Sequence, residues 1–157
     1  MSGELQTNAM VNELATLLIP ICGRQLVLPN VSVAEVIPYT ESESIDDTPN
    51  WFVGRFTWRN TDVPLVSFEA INDEPFTTTN KHKRIAVLNG LLEDSRLPFC
   101  GILTEGMPRL MRVMSDEVAI DEDFEPGPAE LSRVLVSGEH AAIPNIDYIL
   151  QEILNLL

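Results

Sequence analysis

What this chain can fold into is set first by the shortness of its apolar runs. "ATLLIPIC", "RQLVLP", "RIAVLNG", "PFCGIL", "PRLMRVM" and "RVLVSGEHAAIP" follow one another with Gly, Pro and Asn between them. Runs of this length, broken by turn residues at fairly regular spacing, read as β-strands, and many of them in succession indicate an all-β barrel or sandwich. The segment "NWFVGRFTWRNTDVPLVSF" gives the plainest case. Aromatic and polar residues alternate from Phe52 to Trp58, Arg59-Asn60-Thr61-Asp62 follows, and a second apolar run extends from Val63 to Phe68. This is a β-hairpin pattern, and Asn60 falls where the turn needs positive φ, which Asn tolerates because its amide can bond locally. Such a turn holds Arg59 at the strand end, pointing out.

Between these strands, "NVSVAEVIPYT" fits either a strand or one helical turn. "ESESIDDTP" is an acidic linker, and "EAINDEPFTTTNKHK" reads as a polar connection. Helical periodicity is convincing only at the C-terminus. In "NIDYILQEILNLL", Ile146, Ile149, Leu150, Ile153, Leu154 and Leu157 fall on one helical face, Asn145 is a fitting N-cap and Asp147 lies in the first turn. The expected organisation is a polar tail over residues 1–15 and one domain over 16–157. That domain comprises two sub-barrels, roughly 17–80 and 81–145, then a helix over 146–157 that covers the end of a barrel.

Chemistry is sparse. With Lys plus Arg at 10 and Asp plus Glu at 24, the net charge is −14, which works against nucleic acid and anionic membrane as partners. The N-terminal stretch resembles no secretory signal and no apolar run is long enough to span a bilayer, so a soluble, cytoplasmic protein is expected. Cys22 and Cys100 lie 78 positions apart without the spacing of a zinc or redox site and are expected to be buried free thiols. His82 in "KHKR" and His140 after a turn have no nucleophile or metal-binding motif around them. Asp121, Asp123 and Glu125 alternate like the start of a calcium loop, but Pro126 stands where such a loop needs Gly. The acids from Glu41 to Asp47 read as surface charge rather than paired catalytic carboxylates. What remains is an acidic β domain without a credible catalytic set, which argues for a protein that binds proteins.

The segment "VAEVIPYTESESIDDTPNWFVGRFTWRNTDVPLVSF" resembles the signature region of CheW-like domains, the adaptor family of bacterial chemotaxis arrays. The matching positions are Glu35, Thr48-Pro49, Gly54, Arg59-Asn60, Val63-Pro64 and Ser67-Phe68, and the likeness continues more loosely through "RIAVLN", "CGILTEGMPRLMRV" and "SDEV". Asn60 stands for the family's Gly, Ser67 for an Asp, and Arg84 for an aliphatic residue. Among such proteins the chain looks most like the compact accessory adaptors of type IV pilus (twitching motility) chemosensory systems, the group that includes ChpC and PilI. The resemblance implies two five-stranded SH3-like β-barrels packed across a hydrophobic seam, with Trp51, Phe52, Phe56 and Trp58 in barrel core or seam. It also implies a non-catalytic adaptor, without cofactor or metal, that couples a methyl-accepting chemoreceptor's cytoplasmic tip to a CheA-type histidine kinase. Carried over residue by residue, it places receptor contact at Val33, Glu35 and Arg59 and structural turns at Gly54, Asn60 and Pro64. Two other readings stay open: a small-molecule-binding β-barrel, and an acid/base enzyme using the carboxylate loops.

Overall fold

The computed structural model describes residues 13–75, 81–90 and 96–157. Among the described residues, eleven strands form two sheets. β1 (Glu13–Ile21) and β2 (Arg24–Pro29) open the chain, and β3 (Val33–Pro38) follows a single 3-10 turn. β4 (Phe52–Trp58), β5 (Thr61–Val66) and a short helix α1 (Phe68–Ile71) come next, then β6 (Arg84–Asn89) and β7 (Phe99–Thr104). β8 (Arg109–Met114), β9 (Val118–Ile120), β10 (Glu130–Val136), β11 (Glu139–Pro144) and helix α2 (Ile146–Leu154) complete it. One sheet has six strands in the order β8-β1-β2-β11-β10-β9, the other five in the order β3-β6-β7-β5-β4.

The all-β expectation holds, with two corrections. The sheets interleave along the chain: β1 and β2 pair with β8 to β11, while β6 and β7 join β3 to β5, so a division at 80/81 does not follow the sheets. One sheet is also six-stranded, because β8 occupies the outer side of β1, with Leu17 opposite Leu110. Apart from β8 the two sheets share a plan. Each joins two antiparallel hairpins through one parallel contact, β2 with β11 and β5 with β7, and each ends in a strand preceded by a 3-10 turn. Closure follows from chain length. Met114 ends β8 at one margin of the six-stranded sheet and Val118 begins β9 at the other, and three intervening residues can span no more than about 14 Å.

Strand alternation distributes the core among three places. Leu18, Val27, Val113, Val134, Val136 and Ala141 fill the six-stranded barrel, and Phe56, Trp58, Val63, Leu65, Ile85, Val87 and Leu103 fill the five-stranded one. Their neighbours in sequence, such as Ile19, Leu26, Leu28, Ala86 and Leu88, face the other way into a seam cluster between the sheets. Both faces of these strands are therefore buried, which explains why "LLIPI" and "IAVL" are unbroken apolar runs. Trp51 packs against the seam from its margin.

Helix α2 is capped as expected, the Asn145 side chain accepting from Tyr148 N at 3.1 Å. It ends three residues early, leaving Leu157 exposed, and it does not close a barrel end. Ile149, Leu150 and Ile153 instead join the seam cluster, where residues of both sheets meet. The polar connection is corrected as well. Ser67 caps α1 by accepting from Ala70 N at 3.2 Å, and all four residues of α1 are buried. Residues 13–15, assigned to the polar tail, begin β1; the rest of that tail, and residues 76–80 of the connection, lie outside the described residues.

A buried ionic network ties the segment after α1 to the six-stranded sheet. Arg24 on β2 donates to Glu74 through both terminal nitrogens, one at 2.7 Å, and to Glu130 at 3.0 Å. Glu130 also accepts from Arg133 Nε at 2.8 and 2.9 Å and from Gly127 N at 2.8 Å. Asn72 donates to Glu74 at 2.7 Å and accepts from Ala129 N at 2.9 Å. A Cβ on Gly127 would lie 2.4 Å from Asn72 Oδ1, so only glycine allows this approach.

Candidate binding surface

The β4–β5 turn consists of Arg59 and Asn60 alone, with φ of 48° and 61°. Two successive positive φ values in a two-residue hairpin define the type I′ geometry, whose twist matches that of the flanking strands. Asn60 is therefore where the sequence places it. Arg59 shares the left-handed region, and Thr61 and Asp62 belong to β5 rather than to the turn.

The turn projects Arg59 toward the opposite margin of the five-stranded sheet. Arg59 Nη2 donates to Glu35 Oε2 at 2.9 Å, and Trp58 Nε1 donates to the same oxygen at 3.2 Å. Glu35 lies on β3 and Trp58 on β4, the two end strands of that sheet, so one carboxylate bridges its margins. The guanidinium stacks 4.6 Å from the Trp58 ring centroid. Burial separates the roles within this cluster. Trp58 is a core residue whose indole N–H reaches Glu35, whereas the Arg59 side chain remains 69 % exposed and that of Glu35 41 %. Val33 is half-buried against the seam, with a β-bulge between it and Glu35. A shallow depression of about 270 Å³ lies alongside, lined by Val31, Ser32, Leu88, Asn89 and Ile146, and Val31 is 82 % exposed. The sequence offered no signal for Leu88, Asn89 or Ile146 as neighbours of Val33, because they come from β6 and the start of α2.

Gly54 and Pro64 are not turn residues. Gly54 lies at a bulge in β4 with φ of 156°, and a Cβ there would meet the Glu43 carbonyl at 2.5 Å. The acidic linker uses that space, Glu43 and Arg55 exchanging backbone hydrogen bonds of 2.8 and 2.9 Å along the margin of β4. Pro64 sits within β5 opposite Arg55, one residue before β5 begins to pair with β7.

A second surface lies at the mouth of the six-stranded barrel. An apolar groove of about 380 Å³ is lined by residues that include Leu14, Val27, Met114, Val118 and Ile143, and Leu110 and Ile120 are exposed nearby in sequence. Polar side chains on its wall are confined to Thr16 and Ser115, and the Thr16 hydroxyl is used on Met111 O at 2.8 Å. The groove therefore has shape without the convergent polar groups that fix a small ligand. Asp121, weighed above as a calcium ligand, is buried and bonded at 2.7 Å to His140 Nδ1 and at 3.2 Å to the Asp123 N–H.

Two closed barrels joined by an apolar seam, with an ion-paired ridge at the margin of one and an apolar groove at the mouth of the other, make a double SH3-like module built around surfaces. The CheW-like domain model matches residues 15–154, and the chain belongs to the CheW-like domain family. The crystal structure of the scaffolding protein TtCheW from Thermoanaerobacter tengcongensis superposes with a TM-score of 0.69 at 13% identity, covering 83% of this chain and 88% of that one. At that identity the likeness establishes the shared fold. No curated protein matches the sequence. No helix among the described residues is long and apolar enough to cross a membrane.

Proposed function

We propose that this chain is a non-catalytic adaptor that couples the cytoplasmic tip of a methyl-accepting chemoreceptor to a CheA-type histidine kinase, and that it serves a type IV pilus chemosensory system. Family membership supports the scaffold role, and the accessory-adaptor resemblance of the sequence supports the pilus setting. The observation that carries the receptor surface is Arg59. Its φ of 48° is a conformation that Asn or Gly adopts at lower cost, yet the position holds a long cationic side chain that stays mostly in solvent. A planar fork of donors fixed on Trp58, with Glu35 beside it and the apolar Val31–Val33 stretch adjacent, suits the carboxylates and apolar stripe of a helical hairpin tip. The groove at the other barrel offers a separate apolar face for the kinase's regulatory domain.

The test is titration of purified Arg59→Ala against each partner alone. Receptor-tip affinity is expected to fall by at least about 25-fold, the loss of a roughly 2 kcal/mol interface arginine, with kinase affinity little changed. If both affinities fall together with the melting temperature, Arg59 is structural; unchanged receptor affinity removes it from the surface. Saturable uptake of an apolar ligand in the groove by a chain that binds neither partner would establish a small-molecule-binding barrel instead.

A further inference from the structure

Three side chains far apart in sequence meet where the sheets join. Cys22 lies in the β1–β2 turn, Glu69 on α1, and Glu105 just beyond β7, where its N–H donates to Pro20 O at 2.8 Å. Cys22 Sγ is 3.2 Å from Glu105 Oε1, and Cys22 N donates to Glu69 Oε2 at 3.1 Å. The thiol sulfur and one carboxylate oxygen from each glutamate all lie within 4.8 Å of one another. Glu69 is 2 % exposed, and its second oxygen, Oε1, has no hydrogen-bond partner. Among the described residues Glu69 makes no ion pair, and the nearest arginine in sequence to Cys22, Arg24, is committed to Glu74 and Glu130. A buried carboxylate with an unused oxygen, facing a second carboxylate, is costly unless a cation or a proton compensates it.

We infer that Cys22, Glu69 and Glu105 form a binding site for a divalent metal ion of zinc type. A sulfur donor selects a borderline-soft ion over Mg²⁺ or Ca²⁺, and one thiolate with two carboxylates supplies three of zinc's four ligands, leaving one position for water. With Zn–S near 2.3 Å and Zn–O near 2.1 Å, tetrahedral geometry puts sulfur and oxygen about 3.6 Å apart, so only small movements separate the present arrangement from a ligated one. Binding exchanges the thiol proton for the metal: the S–H bond breaks, the sulfur lone pair ligates zinc, and the proton leaves to solvent. Without the ion, burial and the two neighbouring carboxylates push the Cys22 thiol up to about 12. Cys22 adjoins strands of the six-stranded sheet while Glu69 and Glu105 follow strands of the five-stranded one, so the ion would pin one barrel to the other. This inference is independent of the adaptor role.

The experiment uses the full chain, stripped with chelator and kept reduced with a phosphine, then titrated with Zn²⁺ against a chromophoric competitor and with Co²⁺ followed by absorbance. One equivalent is expected to bind, with a thiolate-to-cobalt charge-transfer band and a higher melting temperature. Cys22→Ser should abolish the band. Cys22→Ser and Glu69→Gln should each weaken Zn²⁺ binding by more than 100-fold, beyond the 10–100-fold typical of residues that only orient a ligand. Glu69→Gln keeps an acceptor for Cys22 N; should it fail to fold, the less buried Glu105→Gln takes its place with the same expectation. Absence of stoichiometric binding, or binding that these variants leave intact, overturns the site.

Discussion

Two of the protein's arginine–carboxylate pairs, Arg24–Glu130 and Arg59–Glu35, differ in burial, and burial gives them opposite meanings. On the six-stranded sheet, Arg24 and Glu130 have side chains 7% and 0% exposed. At the margin of the five-stranded barrel, Arg59 and Glu35 meet at the similar distance of 2.9 Å but stay largely in solvent. Removing one partner from the first leaves a buried network short of one charge, whereas removing one from the second leaves a group that water can take over. The comparison teaches that the same pairing is architecture in one place and available surface in the other.

The largest expected effect tests the buried side. Glu130→Ala takes the carboxylate from Arg133, leaves Arg24 with Glu74 alone and frees the Gly127 N–H, and should cost about 3–5 kcal/mol of folding stability in urea titration. Glu35→Ala, assayed alongside, should cost no more than about 1 kcal/mol. Equal losses would erase the distinction drawn here. Leu150→Asp provides a scale for the seam itself: a charge placed among its apolar residues should lower stability by several kcal/mol, and an unchanged melting temperature would show that α2 does not depend on that contact.

Acid should act through the same network. Burial works to raise the carboxyls of Glu74 and Glu130, but hydrogen bonds from Arg24 and Asn72 hold Glu74 below the ordinary glutamate range, and Gly127 N, Arg133 and the Arg24 charge do the same for Glu130. Both folded-state values are depressed, so near and below pH of about 4.3 the unfolded chain binds more protons than the folded one. The stability these groups contribute is present above that pH and lost as pH falls through their folded values. Urea midpoints across an acidic pH series should therefore fall steeply for wild type and less steeply for Glu130→Gln; a steeper fall in the variant would reverse the assignment.

These contrasts also show what a sequence can disclose. The Phe52–Val66 hairpin and the Asn145 cap are local, because alternation, cap chemistry and turn conformation depend on residues a few positions apart. Val33, Glu35 and Arg59 were placed together only by resemblance, and Trp58 was expected in core or seam; the five-stranded sheet brings its end strands within reach of one carboxylate, so that Glu35 meets both Arg59 and Trp58. The Arg24–Glu74–Glu130 network and the Cys22–Glu69–Glu105 cluster had no signal at all. Their members are separated by dozens of residues and meet only because the β1–β2 hairpin, in one sheet, packs against segments that follow β5 and β7 of the other, with Glu130 brought in on β10. α1 was missed for a different reason: its four buried residues are too few to show a helical period, and polar neighbours surround them.

The smallest effects sharpen the exposed side, because there two costs oppose each other in one turn. Asn60→Gly should be neutral or slightly stabilising, since glycine enters positive φ without steric cost, while Asn60→Val should lose roughly 1–2 kcal/mol to strain at φ of 61°. At Arg59 the balance is finer. Arg59→Ala keeps the strained φ and loses an exposed ion pair and a cation–π contact, each worth at most about 1 kcal/mol, so a small loss is expected. Arg59→Gly loses the same contacts but relieves the backbone, and its melting temperature should lie above that of Arg59→Ala and close to wild type. Both should bind the receptor tip equally poorly under the adaptor reading, because the guanidinium is absent from each. If Arg59→Gly is the less stable of the two, the turn is not strained at this position, and the conformational argument for a role of Arg59 outside the fold fails with it.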